Sequence, residues 1–169
     1  MAHIKVINEP TELVPLLRAL DTPVKRNVFE DLIHEWHTMG DIEKKYGEDG
    51  KDALMYFEKM KLVEVNWIIN ENNEREKSYR SYYYSFHINT SCPINEMKDI
   101  LTVAIMDDTE FCKYEKMILE ELDSNGGKKF VGDLIEKLDL SSTMLKSIVK
   151  RSTKLDCRGH RIETFKPSE

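Results

Sequence analysis

The 169-residue chain is poor in cysteine and has no long apolar run. Cys92, Cys112 and Cys157 are odd in number and far apart. That argues against a disulfide framework and fits a reducing cytoplasm. No stretch of about 18 apolar residues occurs, which argues against a membrane-spanning helix. The first residues, MAHIKVINEP, lack the apolar core of a signal peptide. A phosphate-cradling glycine loop, an HExxH motif and a recognisable active-site pair of acids are all missing. No converging nucleophile, base and stabiliser is legible, so no catalysis and no cofactor are expected. Low-complexity segments are absent.

What is present reads as a soluble, folded chain, with 40% hydrophobic and 33% charged residues, long enough for one ordinary domain or two small ones. The net charge of −6 argues only weakly against a nucleic-acid partner, because the charge is segregated. From Ser141 to Lys166 seven Lys/Arg stand against two acids, Asp156 and Glu163, a local charge of +5. Just before and within this stretch, Val131, Leu134, Ile135 and Leu138 recur at helical spacing. Leu140 and Ser141 break the run, and Ser141 or Ser142 is placed to cap a new helix. That helix buries Met144 or Leu145, Ile148 and Val149. It offers Lys146, Lys150 and Arg151 on its other face, with Lys154, Arg158 and Arg161 following. A basic second helix after a short turn suits the negative major groove of DNA. The competing reading is a small helical hairpin with a solvated basic face.

Upstream, residues 11–20 read as a short helix with Pro15 in its first turn, where proline costs no backbone bond. Asp21 or Thr22 caps the next helix, which buries Val24, Val28, Phe29, Leu32 and Ile33. A short helix from Met39 to Tyr46 stops at Gly47. A further helix, Asp49–Met60, buries Ala53, Leu54, Phe57 and Met60. Two strand-like runs, Leu62–Ile69 and Ser78–Ile88, flank the polar tip 70–77, a hairpin signal. Three helices and a hairpin describe a winged helix-turn-helix. Ser91 and Pro93 mark a joint. Pro93–Met106 then carries Ile94, Met97, Ile100, Leu101, Ala104 and Ile105 on one stripe, expected to be a dimer interface, with packing inside its own chain as the competing reading. After the break Asp107–Thr109, helix Phe111–Leu122 ends at Asn125-Gly-Gly127 and the second helix-turn-helix follows.

Residues Leu17-Arg-Ala-Leu-Asp-Thr-Pro-Val-Lys-Arg-Asn-Val-Phe29, then Phe57-Glu-Lys-Met-Lys-Leu-Val63, resemble the ArsR-like winged-helix transcription regulators. Tyr82-Tyr-Tyr-Ser-Phe86 resembles the second strand of that family's wing. The likeness covers about residues 11–88. The C-terminal half, with Val131-Gly-Asp-Leu134 and Leu140-Ser-Ser-Thr143, resembles the superfamily more generally. The layout is similar to archaeal tandem winged-helix regulators, the archaellum regulators of euryarchaea among them. The resemblance implies a mainly α fold with small β-hairpin wings (α+β): tandem winged helix-turn-helix domains joined by an amphipathic helix. The divisions are a first domain 1–90, a linker or dimerisation helix 91–108 and a second domain 109–169. It also implies transcription regulation by binding double-stranded DNA as a homodimer, in the cytoplasm and away from membranes.

Two departures qualify it. Where the family's third helix offers Ser, Arg or His to DNA, this chain carries Lys51, Asp52 and Ala53, and an Asp repels phosphate. The paired cysteines or Asp/His sets of metal-sensing members are absent, so no metal site carries over. The expected base readers are therefore Ser142, Thr143 and Lys146. Lys150, Arg151 and Lys154 are expected on phosphates, and Arg158, His160 and Arg161 on the second wing. Arg75, Lys77 and Arg80 are expected to make contacts from the first wing. The rival function is a protein-interaction module of the transcription machinery, docking through acidic first-domain surfaces. Three smaller readings compete with purely structural roles: His34 and His37 as metal ligands, Cys157 as a redox switch beside Arg158 and His160, and Tyr79–Phe86 as a single-strand stacking platform.

Overall fold

A computed structural model describes residues 3–165. The chain divides into two compact units. One holds the segment ending at Ile7 together with Ala19–Asn89, and the other holds Asn8–Arg18 together with the chain from Thr90 onward.

α1 (Leu13–Ala19) lies in the second unit as far as Arg18; in the first unit, Thr22 Oγ1 accepts from Lys25 N and Pro23 opens the helix α2 (Pro23–His34). β1 is His3–Ile7 and β2 is His37–Thr38. Thr38 and Asp41 close a reciprocal capping box at the start of α3 (Met39–Lys59). α3 is two helices across a kink at Gly47, whose φ of 71° and ψ of −158° only glycine adopts readily. Its second half buries Ala53, Leu54, Tyr56 and Phe57 against Val28, Phe29 and Leu32 of α2. Each fully buried Leu or Phe of this kind contributes roughly 1.5–3 kcal/mol. β3 (Val63–Ile69) and β4 (Arg75–Ser81) form the antiparallel wing, and the sheet order is β2-β4-β3. The run expected as one strand, Ser78–Ile88, breaks at Tyr82. Its second part, β5 (Tyr83–Ile88), leaves the hairpin and pairs in parallel with β1, a strand absent from the sequence reading.

The second unit repeats the plan. Asp107 caps α5 (Asp108–Asp123). β6 (Lys128–Phe130), α6 (Val131–Leu138) and α7 (Ser142–Arg151) follow, then the wing β7 (Leu155–Arg158) and β8 (Arg161–Thr164). The sheet order β6-β8-β7 matches that of the first unit, edge for edge. Its core joins Ile118, Leu122, Leu134, Leu145, Ile148, Leu155 and Ile162. α4 (Ile94–Ile105) packs along α7 and places Ile100, Val103 and Ala104 in that core. Val14 of α1 lies there too. The helix expected as a separate linker is thus a wall of the second unit, because its apolar face is consumed by α7.

This corrects the expected dimer stripe. Ile100 and Ala104 are buried inside the chain. Met97 is half-buried, and Ile94, Leu101 and Ile105 remain exposed. The apolar face of α4 has two flanks, and the fold buries one of them against α7.

Candidate nucleic-acid interface

α7 begins where Ser141 Oγ accepts from Met144 N at 2.9 Å and donates to Asp99 Oδ2 of α4 at 2.5 Å. The cap thereby fixes the helix start to α4. Ser142, Lys146 and Lys150 then fall at i, i+4 and i+8 on the outward side, with Thr143 half-buried beside them. Neither Lys146 nor Lys150 has an acidic partner among the described residues. Gly159 turns the second wing with a positive φ, and His160 is exposed at its tip. The Arg161 guanidinium lies 4.4 Å from the centre of the half-exposed Phe130 ring, a pairing with no signal in sequence spacing.

Arg151 is a correction. It is 5% exposed and donates to the carbonyls of Val103 and Met106 at 2.8 and 2.7 Å and to Asp108 at 2.7 Å. Its plane covers Phe111 at 4.3 Å. It caps the C-terminus of α4, where a cation meets the negative end of the helix, and offers nothing to phosphate. Lys154 is partly spent as well: its ammonium pairs at 2.8 Å with the buried Glu115 carboxylate, which also accepts from Ser152 Oγ. Hydrogen bonding to Glu115 raises the Lys154 pKa. Arg158 is exposed but pairs with Glu163 at 2.9 Å. The +5 of the sequence therefore becomes a narrower basic stripe. Burial pushes the Cys157 thiol up despite Lys146 and Lys150 nearby, so the thiolate needed for a redox switch is disfavoured.

The equivalent helix of the first unit, the second half of α3, shows Glu48, Asp49, Asp52 and Met55 outward, and Lys51 is drawn to Glu48 at 3.3 Å. On the first wing Arg75 and Arg80 are exposed. Lys77 pairs with Glu58 at 3.0 Å and sits over the Trp67 ring. The tyrosine strand is divided: Tyr79 is buried, Tyr82 stacks on His3, and Tyr83 packs towards Phe86. Those contacts use the rings as packing and leave no continuous platform. His34 and His37 join no cluster of three metal-ligating side chains among the described residues. Among the described residues no helix is long and apolar enough to cross a membrane.

Two copies of helix, short strand, helix pair and two-stranded wing define a tandem winged helix-turn-helix architecture. The sequence profile of the ArsR transcriptional regulators matches residues 7–166, and the chain belongs to that family of transcriptional regulators. No curated protein matches the chain.

Proposed function

We propose that the chain is a sequence-specific duplex-DNA-binding regulator whose main reader is α7. Ser142, Thr143 and Lys146 meet base edges, Lys150 meets phosphate, and Arg158, His160 and Arg161 of the second wing meet the flanking backbone. Arg75 and Arg80 of the first wing add peripheral phosphate contacts. The observation that carries the reading is the contrast between two equivalent helices. One presents Lys146 and Lys150 without acidic partners, and the other presents Glu48, Asp49 and Asp52. The layout suits an archaeal tandem winged-helix regulator acting as a homodimer, since small winged domains read short half-sites and two-fold symmetry doubles the contacts.

Duplexes selected from a random pool supply the ligand, and fluorescence anisotropy supplies the affinity. Lys146→Ala with Lys150→Ala is expected to weaken binding more than Lys51→Ala with Lys59→Ala. The log–log salt slope is expected to fall by about one unit for each phosphate contact removed. Equal or reversed losses count against α7 as the reader. The acidic face of α3 supports a second reading, a docking surface for a basal transcription protein. On that reading duplex affinity is low and insensitive to both pairs of substitutions.

A further inference from the structure

The start of α7 is backed by an acid. Asp99 of α4 is half-buried and, among the described residues, makes no ion pair. Its partner is the Ser141 hydroxyl, which donates to Asp99 Oδ2 at 2.5 Å while accepting from Met144 N at 2.9 Å. A serine hydroxyl has one proton to place and rotates until a partner fixes it. A carboxylate acceptor makes that bond charge-assisted and ties the cap to a packed helix instead of to water. α4 is itself held, because Ile100, Val103 and Ala104 lie in the core of the second unit. The plan does not require such a latch. The equivalent helix of the first unit starts at the Gly47 turn, and the ion pair at its start, Lys51 with Glu48, stays inside α3. The copy with outward lysines is the one whose reading helix is tied down at its start.

We propose that Asp99 is a positioning residue for sequence readout: through Ser141 it holds the first turn of α7 where Ser142 and Thr143 meet base edges. The inference rests on α7 being the reader. Ser142 and Thr143 follow the cap directly, and their hydroxyls stand one bond beyond Cβ. Neither reaches a base edge once the start of the helix has drifted, and such contacts need holding to within about 0.5 Å. Lys146 and Lys150 stand on four-carbon stems and follow a small displacement. Loss of the latch therefore costs discrimination between sequences and spares the general attraction to duplex. Arg151 ties the other end of α7 to the same α4. From Ser142 to Arg151 the axis rises roughly 13 Å, so that contact holds the helix without setting its reading turn.

Anisotropy on the full chain tests this with two duplexes, one selected by the wild type from a random pool and one of scrambled sequence. Asp99→Ala is expected to lower the ratio of the two affinities about tenfold. The loss falls on the selected duplex, and the salt slope on the scrambled one is expected to stay unchanged. Asp99→Asn, whose amide oxygen still accepts the hydroxyl proton, is expected to keep the ratio within about threefold of wild type. Ser141→Ala is expected to lose as much as Asp99→Ala, and the double variant no more than either, because Asp99 acts through Ser141. Ser141→Ala carries the same test should Asp99→Ala fail to fold. Arg151→Ala is the control for lost stability alone: it is expected to melt earlier and keep the ratio. Without DNA, the Met144 amide is expected to exchange faster in Asp99→Ala while the last turn of α7 keeps its protection. An unchanged ratio in Asp99→Ala or Ser141→Ala overturns the proposal. So does an Asp99→Asn that loses as much as the alanine variant, or a double variant whose losses multiply. If Lys146→Ala with Lys150→Ala costs nothing at either duplex, the functional reading itself fails. A costly lysine pair beside a silent Asp99→Ala sinks the positioning role alone.

Discussion

At Arg151 and Lys150, neighbours in sequence, the same charge serves opposite ends. Arg151 turns inward to the carbonyls that end α4, and Lys150 lies on the outward stripe. Replacing Arg151 by Ala leaves two buried acceptors without donors and should cost about 3 kcal/mol in denaturant melts. Duplex affinity of the protein that remains folded should be unchanged. Lys150→Ala should do the reverse, with little change in stability and a measurable loss of affinity. The sequence could not separate them, because a count of cations along a helix carries no information about the carbonyls of a helix 45 residues upstream. Asp41 offers a residue-scale pH test. Hydrogen bonds from the Thr38 backbone N–H and then its hydroxyl hold the Asp41 carboxyl below its ordinary 3.8. A lowered carboxylate pKa stabilises the fold above the ordinary value, and that stability is lost as pH falls through the lowered one. Asp41→Ala should therefore cost about 1 kcal/mol near neutral pH. The gap from wild type should narrow in melts carried out well below pH 3.8.

Among the elements, the helices were legible, while the strands β1, β2 and β6 and the division between β4 and β5 were not. Of the alternatives Asp21 or Thr22 and Ser141 or Ser142, Thr22 and Ser141 are the caps, and Asp107, legible only as a polar break, caps α5 as well. Gly47 announced the stop between the halves of α3. Its φ and ψ lie where a Cβ is strained although space around it is open. Gly47→Ala should cost about 1–3 kcal/mol and broaden or lower the melting transition followed by Trp fluorescence, Trp36 and Trp67 both belonging to that unit. β1 and the break at Tyr82 escaped notice for a common reason. Each depends on a parallel pairing between residues some 80 positions apart, Lys5 with Phe86 and Ile7 with Ile88, and local alternation does not name a distant partner. The basic helix was found, but its cationic surface was overcounted, because ion pairs such as Lys154 with Glu115 form only after folding.

In the whole molecule, the chain visits the first unit, then the second, then each again. The expected boundaries at 90 and 109 follow composition along the chain. They miss Asn8–Arg18 because a short helix of ordinary amphipathic pattern does not declare which core it joins. Val14 is fully buried among Ile100, Leu145 and Ile148 of that distant core. Val14→Ala should cost about 2 kcal/mol and speed amide exchange in α5 and α7 while α2 keeps its protection. Slower or equal exchange there would place Val14 elsewhere.

The same threading sets an order of assembly at the ribosome. Leu13 and Val14 leave the exit tunnel early, yet the helices that enclose them are translated only after residue 94. The first unit closes once β5 has emerged to meet β1, with Asn8–Arg18 still unhoused. Until α4, α5 and α7 have been made, that segment is open to chaperones or to neighbouring nascent chains. Slow translation just past residue 90 lengthens that exposure, and fast translation shortens it.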